Sequence, residues 1–252
     1  MKISETLEII IPVFNEDKVI LETLKRLENL IFKNKQLLSI KVIFVDDGSI
    51  DNTYAILRNY CKGNHNMRMI SLSRNFGHQI AITAGIDNSN ADYVAILDAD
   101  LQDPPELIID MYKLALKGYE VVYGRRKSRE GDSFLKKITA SLFYRFINYL
   151  CDIELPKDTG DFRLLSRTAV DALKLMREKH RYVRGMVPWL GFKQTHIDYD
   201  RKKRFAGETK YPLKKMLAFS NTAILSFSKK PLLLAMRLGT LISLTGLISI
   251  FY

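Results

Sequence analysis

Cysteine is scarce and the usual phosphate-cradling loops are missing. Cys61 and Cys151 are the two cysteines among 252 residues, far apart and with no Cys-x-x-Cys. That excludes a disulfide scaffold and a zinc ribbon, and it fits a reducing compartment. No Gly-x-Gly occurs, which excludes a dinucleotide fingerprint, and no Gly-Lys pair occurs, which excludes a Walker loop. Histidine is limited to His65, His78, His180 and His196. These show no metal-ligand spacing and read as structural or exposed. Trp189, the single tryptophan, follows Pro188 and reads as an anchor or a packing residue.

What is abundant is positive charge, unevenly spread. Residues 1–120 carry 13 Lys and Arg against 17 Asp and Glu, a net −4; residues 121–252 carry 26 against 11, a net +15. The C-terminal half is therefore expected to face something anionic, either nucleic acid or a membrane. Leu232 to Tyr252 is apolar apart from Arg237 and a few Ser, Thr and Gly. About 20 such residues are needed to span a bilayer, and Arg237 lies where a long side chain can snorkel to the headgroups. Residues 231–252 are thus expected to form a transmembrane helix, with the alternative of a buried core helix. Lys214, Lys215, Lys229 and Lys230 before it place the large domain in the cytoplasm. Residues 134–150 place apolar side chains at helical spacing among Lys136, Lys137 and Arg145, which fits an interfacial helix or an ordinary core-facing one. A second such segment is expected at 211–228.

The N-terminal half alternates. Leu7–Val13, Ile40–Val45, Met69–Leu72, Tyr93–Leu97 and Glu120–Tyr123 read as strands. Lys18–Leu30, Asp51–Tyr60, Gly77–Asp87 and Pro104–Leu116 read as helices. Strand alternating with helix implies an α/β fold, a mostly parallel sheet with helices on both faces. Ligands bind such sheets beyond the carboxyl ends of the strands. Asn15-Glu16, Asp46-Asp47-Gly48-Ser49, Ser73-Arg74-Asn75 and Asp98-Ala-Asp100 all fall at those ends. Any one of these clusters could be helix capping; four on successive strands predict a shared cleft.

Asp98 and Asp100 bracket one alanine. On extended backbone they project to one side, and two carboxylates so placed repel unless a cation holds them. Hard oxygen ligands suit Mg²⁺ or Mn²⁺, and Gln102 adds a neutral oxygen. A divalent ion there would most naturally neutralise a diphosphate. With the common nucleotide loops excluded, a nucleotide-sugar fold remains.

Ile11-Pro-Val-Phe-Asn-Glu16, Val45-Asp-Asp-Gly-Ser49, Ser73-Arg-Asn-Phe-Gly77 and Asp98-Ala-Asp-Leu-Gln-Asp-Pro-Pro105 resemble family 2 inverting glycosyltransferases of the GT-A (nucleotide-diphospho-sugar transferase) fold. Gly160-Asp-Phe-Arg-Leu-Leu-Ser-Arg167 and Arg204-Phe-Ala-Gly-Glu-Thr-Lys-Tyr211 are similar to the polyprenyl-phosphate branch of that family, which includes dolichyl-phosphate mannose synthases and bactoprenol glucosyltransferases. The resemblance implies that Pro12, Val13, Asn15, Glu16, Asp46, Asp47, Arg74 and Asp98 bind the donor, with Asp46 reading the base. It implies metal ligation by Asp98, Asp100 and Gln102. Asp161 would stand at the reacting centre with Asp100 and Arg204, and Arg201, Arg204 and Lys210 would grip the lipid phosphate. It further implies a cytoplasmic catalytic domain over 1–210, a juxtamembrane segment over 211–230 and a spanning helix over 231–252. Bacterial relatives carry two such helices, so the membrane region is expected to continue past Tyr252.

The implied reaction moves a sugar from a nucleotide sugar, UDP-glucose before UDP-N-acetylglucosamine or GDP-mannose, to a polyprenyl phosphate such as undecaprenyl phosphate, at the cytoplasmic face of a bacterial membrane. The second pKa of a phosphate monoester is about 6, so the acceptor is already a nucleophile and needs no strong base. Asp161 is accordingly expected to position rather than deprotonate; its plain alternative is a cap or a salt bridge with Arg163. Nucleic acid is not expected as a partner, because no recognition motif accompanies the charge. A catalytically silent sugar-nucleotide-binding module, a processive synthase (which would need Gln-x-x-Arg-Trp) and a homo-oligomer complete the set of alternatives.

Overall fold

A computed structural model of the chain describes residues 5–127, 159–178, 181–201 and 230–250. Two compact units divide the chain: Met1–Gly131 with Pro156–Thr209, and Asp132–Leu155 with Lys210–Tyr252.

In the first unit, the described elements are β1 (Thr6–Val13), α1 (Ile20–Asn34), β2 (Ser39–Asp46), α2 (Thr53–Cys61), β3 (Met67–Ser71), α3 (His78–Asp87), β4 (Tyr93–Ile96), α4 (Leu107–Ala115), β5 (Val121–Arg126), β6 (Thr159–Ser166), α5 (Arg167–Leu175), α6 (Val183–Trp189) and β7 (Gln194–Tyr199). The strands form a sheet in the order β3-β2-β1-β4-β6-β5-β7. β6 runs antiparallel to both its neighbours, and the other pairs are parallel. β1 to β5 and α1 to α4 overlap the segments expected from the sequence.

Burial explains why these runs become central strands. Leu7 to Val13 of β1 are buried throughout, as a strand covered on both faces must be. The polar break, Glu8, is satisfied inside by the Ser89 hydroxyl at 2.5 Å and Arg68 at 3.2 Å. α1 turns Ile20, Leu24, Leu27 and Leu30 inward at helical spacing. Thr23, on the same face, donates to the Ala99 carbonyl at 2.8 Å and so ties α1 to the loop after β4. α3 lies close on β1: a Cβ at Gly85 would sit 2.3 Å from Ile10 Cγ2, so only glycine permits this approach.

β6 does the most to shape the site. Its pairing sets Tyr93 against Ser166 and Ile96 against Arg163. Continued two residues further, the same register brings Asp161 opposite Asp98. An antiparallel strand presents its start where its neighbours present their carboxyl ends, so Asp161 arrives beside Asp98 from the opposite chain direction.

The described part of the second unit is one helix, α7 (Lys230–Ile250), whose described side chains are exposed. The transmembrane helix expected at 231–252 needs correction: among the described residues no helix is long and apolar enough to cross a membrane. Thr240, Thr245 and Ser249 donate to the carbonyls of Met236, Ile242 and Thr245. The interfacial helices expected at 134–150 and 211–228 lie outside the described residues.

Candidate active site

The loops leaving β1 and β2 are stitched into one wall. Asn15 adopts φ 53°, rare for a residue with a side chain. Its N–H donates to the Ser49 hydroxyl at 3.0 Å, while its side-chain oxygen accepts from the Ile50 N–H at 2.9 Å. The Glu16 N–H donates to Thr53 Oγ1 at 2.8 Å, and the Asp17 N–H to Asp51 at 3.2 Å. Pro12 and Val13 are buried in β1 opposite Val45 and Asp46. Asp46 is buried and accepts from the Ser49 N–H and the Ser71 hydroxyl. Asp47 accepts from the N–H groups of Phe76 at 2.8 Å and Gly77 at 2.9 Å, so it holds the entry to α3. Burial raises the Asp47 carboxyl, and those two N–H groups oppose the rise. Arg74 is exposed, its guanidinium 4.1 Å above the Phe76 ring.

The Asp98–Gln102 loop leaves β4 at the same end of the sheet, next to β1. Among the described residues, Leu101 carries the other positive φ of a residue with a side chain, 58°. Such strain persists where surrounding structure holds it, commonly at functional sites. Asp100 accepts from the Gln102 N–H at 3.1 Å and is buried. Asp98 Oδ1 is buried without a hydrogen-bond partner. Burial pushes the Asp98 carboxyl up to about 6, the charges of Asp103, Asp100 and Asp161 add to this, and His78 opposes it.

An orphaned carboxylate oxygen crowded by other carboxylates is what a hard cation relieves, so these residues fit Mg²⁺ or Mn²⁺. Asp98, Asp100 and Gln102 would hold the ion, which when bound would neutralise charge on a leaving diphosphate. Among the described residues no three His, Cys, Asp or Glu groups are gathered as a ready metal cage. Mg²⁺ sites commonly take only one or two carboxylates and complete the shell with substrate phosphates and water.

Asp161, at the start of β6, is almost fully buried and surrounded by donors. Arg184 reaches its Oδ2 at 2.8 Å and its Oδ1 at 3.4 Å. Gln79 donates to Oδ2 at 3.3 Å, and His78 Nε2 lies 3.2 Å away. The same His78 nitrogen is 3.6 Å from Asp98 Oδ1 and so faces both carboxylates. Burial would raise the Asp161 carboxyl, but the Arg184 charge and the His78 hydrogen bond outweigh it and hold the group well below the usual carboxylate range. Burial would lower the His78 imidazole; the Asp161 hydrogen bond and the Asp98 charge bring it up to about 9 instead. The salt bridge considered from the sequence is with Arg184; Arg163 turns back to donate to the Gly160 carbonyl at 2.9 Å.

Arg201 meets Asp103. Asp103 is buried and accepts from the Tyr199 hydroxyl at 2.5 Å, with Arg126 at 3.7 Å and Arg201 at 3.5 Å. Arg204 and Lys210 lie outside the described residues. Sequence reasoning did not identify Gln79, Asp103, Arg126 or Arg184, and it read His78 as structural or exposed. His78 in fact faces the two carboxylates. The available signal was its place directly after the Ser73–Gly77 motif, on the first turn of a helix entering the cleft.

The profile of glycosyl transferase family 2 matches residues 8–174. The chain is 49% identical over 243 residues to the uncharacterized glycosyltransferase YkcC of Bacillus subtilis (strain 168), covering 96% of this chain and 75% of that protein. It is 33% identical over 232 residues to the bactoprenol glucosyl transferase of Shigella phage SfV, covering 92% and 74%. Among solved structures, glucosyl-3-phosphoglycerate synthase from Mycobacterium tuberculosis in complex with Mn²⁺, UDP and phosphoglyceric acid shares the fold, with TM-score 0.57 at 18% identity over 88% of this chain and 76% of that one. With its GT-A-like α/β sheet and its facing carboxylates, the chain belongs to glycosyl transferase family 2 and is a glycosyltransferase.

Proposed function

We propose that this glycosyltransferase moves glucose from UDP-glucose to a polyprenyl phosphate such as undecaprenyl phosphate, with inversion, at the cytoplasmic face of a bacterial membrane. The observation that carries the reading is the state of Asp161. A carboxylate held by Arg184, His78 and Gln79, with its affinity for protons strongly reduced, is a poor general base. That suits an acceptor that arrives ionised. A phosphate monoester, with a second pKa of about 6, does so at neutral pH, whereas a sugar hydroxyl does not.

The likeness to the bactoprenol glucosyl transferase of Shigella phage SfV supports the lipid acceptor, and the Mn²⁺ and UDP of the structural neighbour support a metal-assisted uridine donor. The net +15 of residues 121–252 supports approach to an anionic surface. In this reading Arg201, Arg204 and Lys210 receive the lipid phosphate, and Asp98, Asp100 and Gln102 serve the metal.

The test is incubation with undecaprenyl phosphate, Mn²⁺ and a panel of labelled UDP-glucose, UDP-N-acetylglucosamine and GDP-mannose. Label passing into the organic phase from UDP-glucose is expected. Label passing only from another donor would reassign the sugar, and label released only as free sugar would overturn the lipid acceptor.

A further inference from the structure

We propose that Arg184, carried on α6, is a positioning residue for transfer, acting with Gln79 as a clamp that fixes the Asp161 carboxylate and offsets its charge. This rests on the reading of Asp161 as the residue at the reacting centre.

The geometry is a fork on a fork. Arg184 Nη2 donates to Oδ2 at 2.8 Å and Nε to Oδ1 at 3.4 Å, so both carboxylate oxygens meet one planar guanidinium. Gln79 adds a second hold. Its amide nitrogen donates to Asp161 Oδ2 at 3.3 Å, while its amide oxygen accepts from the Val183 N–H at 2.9 Å. One side chain on α3 therefore holds both the carboxylate on β6 and the first residue of α6. Two further cations stand near and add to its effect: His78, shared between Asp161 and Asp98, and Arg163, which donates to the Gly160 carbonyl.

The chemistry gives the clamp two effects. A phosphate dianion approaching a bare buried carboxylate would be repelled, and Arg184 supplies the compensating charge. A carboxylate contacted at both oxygens is also restrained in rotation, so its position relative to the reacting atoms is largely set before substrate arrives. The family motifs quoted from the sequence include neither Arg184 nor Gln79. What joins them is the arrangement of α3, α6 and the antiparallel β6.

A double-mutant cycle tests this, with kcat, donor affinity by calorimetry, and thermal melting measured for Arg184→Gln, Arg184→Lys, Asp161→Asn and the Asp161→Asn/Arg184→Gln pair. Arg184→Gln should lower kcat about 100-fold, the scale of a small misplacement at a reacting centre, with donor affinity within about twofold of the parent. Arg184→Lys, which keeps the charge without the fork, should recover part of the loss. The pair should be no slower than Asp161→Asn alone, because both changes disable one device. If Arg184→Gln does not fold, the Lys variant carries the same comparison.

Losses that multiply in the pair, a fall in donor affinity parallel to kcat, or an unimpaired Arg184→Gln beside an inactive Asp161→Asn would each overturn the clamp. Full activity in Asp161→Asn would instead remove Asp161 from the reacting centre, and the clamp with it.

Discussion

The Cβ that Gly48 lacks would lie 2.4 Å from the backbone carbonyl carbon of Arg74. The loops after β2 and β3 thus touch backbone to backbone, and Gly48 turns there at φ +70°. An alanine would bear the left-handed cost of about 1–2 kcal/mol and would also push the Arg74 backbone away from the loop after β2. Gly48→Ala is expected to lower the urea midpoint and weaken nucleotide-sugar binding together. Parental values for both would mean that the two loops can part without consequence.

The contrast between β1 and β6 shows how far the sequence could be read. Leu7–Val13 is an unbroken apolar run, and its strand was legible from hydropathy alone. β6, Thr-Gly-Asp-Phe-Arg-Leu-Leu-Ser, is just as buried yet carries Asp161 and Arg163. Asp161 is tolerated inside because of partners that hydropathy cannot see: Arg184 is 23 positions on, and His78 is 83 positions back; Arg163 donates locally to the Gly160 carbonyl. Site residues that follow a strand were legible because a topological rule points to them. His78, Gln79 and Arg184 were not, because they come together only where α3 and α6 meet the antiparallel β6. The helix at α7 was legible from composition, but its expected span was not borne out: among the described residues no helix is long and apolar enough to cross a membrane.

Metal removal gives a second prediction. Transfer should vanish in EDTA and return with Mn²⁺ or Mg²⁺. Asp100→Ala should remain inactive at any metal concentration and bind nucleotide sugar more weakly, because a two-carboxylate site leans on each ligand. Undiminished turnover in EDTA would take the metal out of the reaction and leave the orphaned Asp98 oxygen without its explanation.

Asp103 supports a stability prediction. Its buried carboxylate faces Arg126 and Arg201 and accepts from Tyr199. Asp103→Ala would leave two arginines without their shared counter-charge. The cost of breaking a buried pair is about 3–5 kcal/mol, and the lower end applies here because both arginines reach solvent. Urea unfolding should show a loss near about 3 kcal/mol; a loss under about 0.5 kcal/mol, the size typical of surface changes, would mean that the cluster is not coupled.

The central claim is that the acceptor arrives already ionised and that Asp161 does not deprotonate it. Its most direct test is the initial rate of transfer from labelled UDP-glucose to undecaprenyl phosphate and to undecaprenol, which share a chain and differ in the phosphate. The account predicts glycosyl transfer to the phosphate and none to the alcohol. Transfer to undecaprenol at a comparable rate would contradict it, because a hydroxyl nucleophile requires the base that the Arg184-bound Asp161 is not.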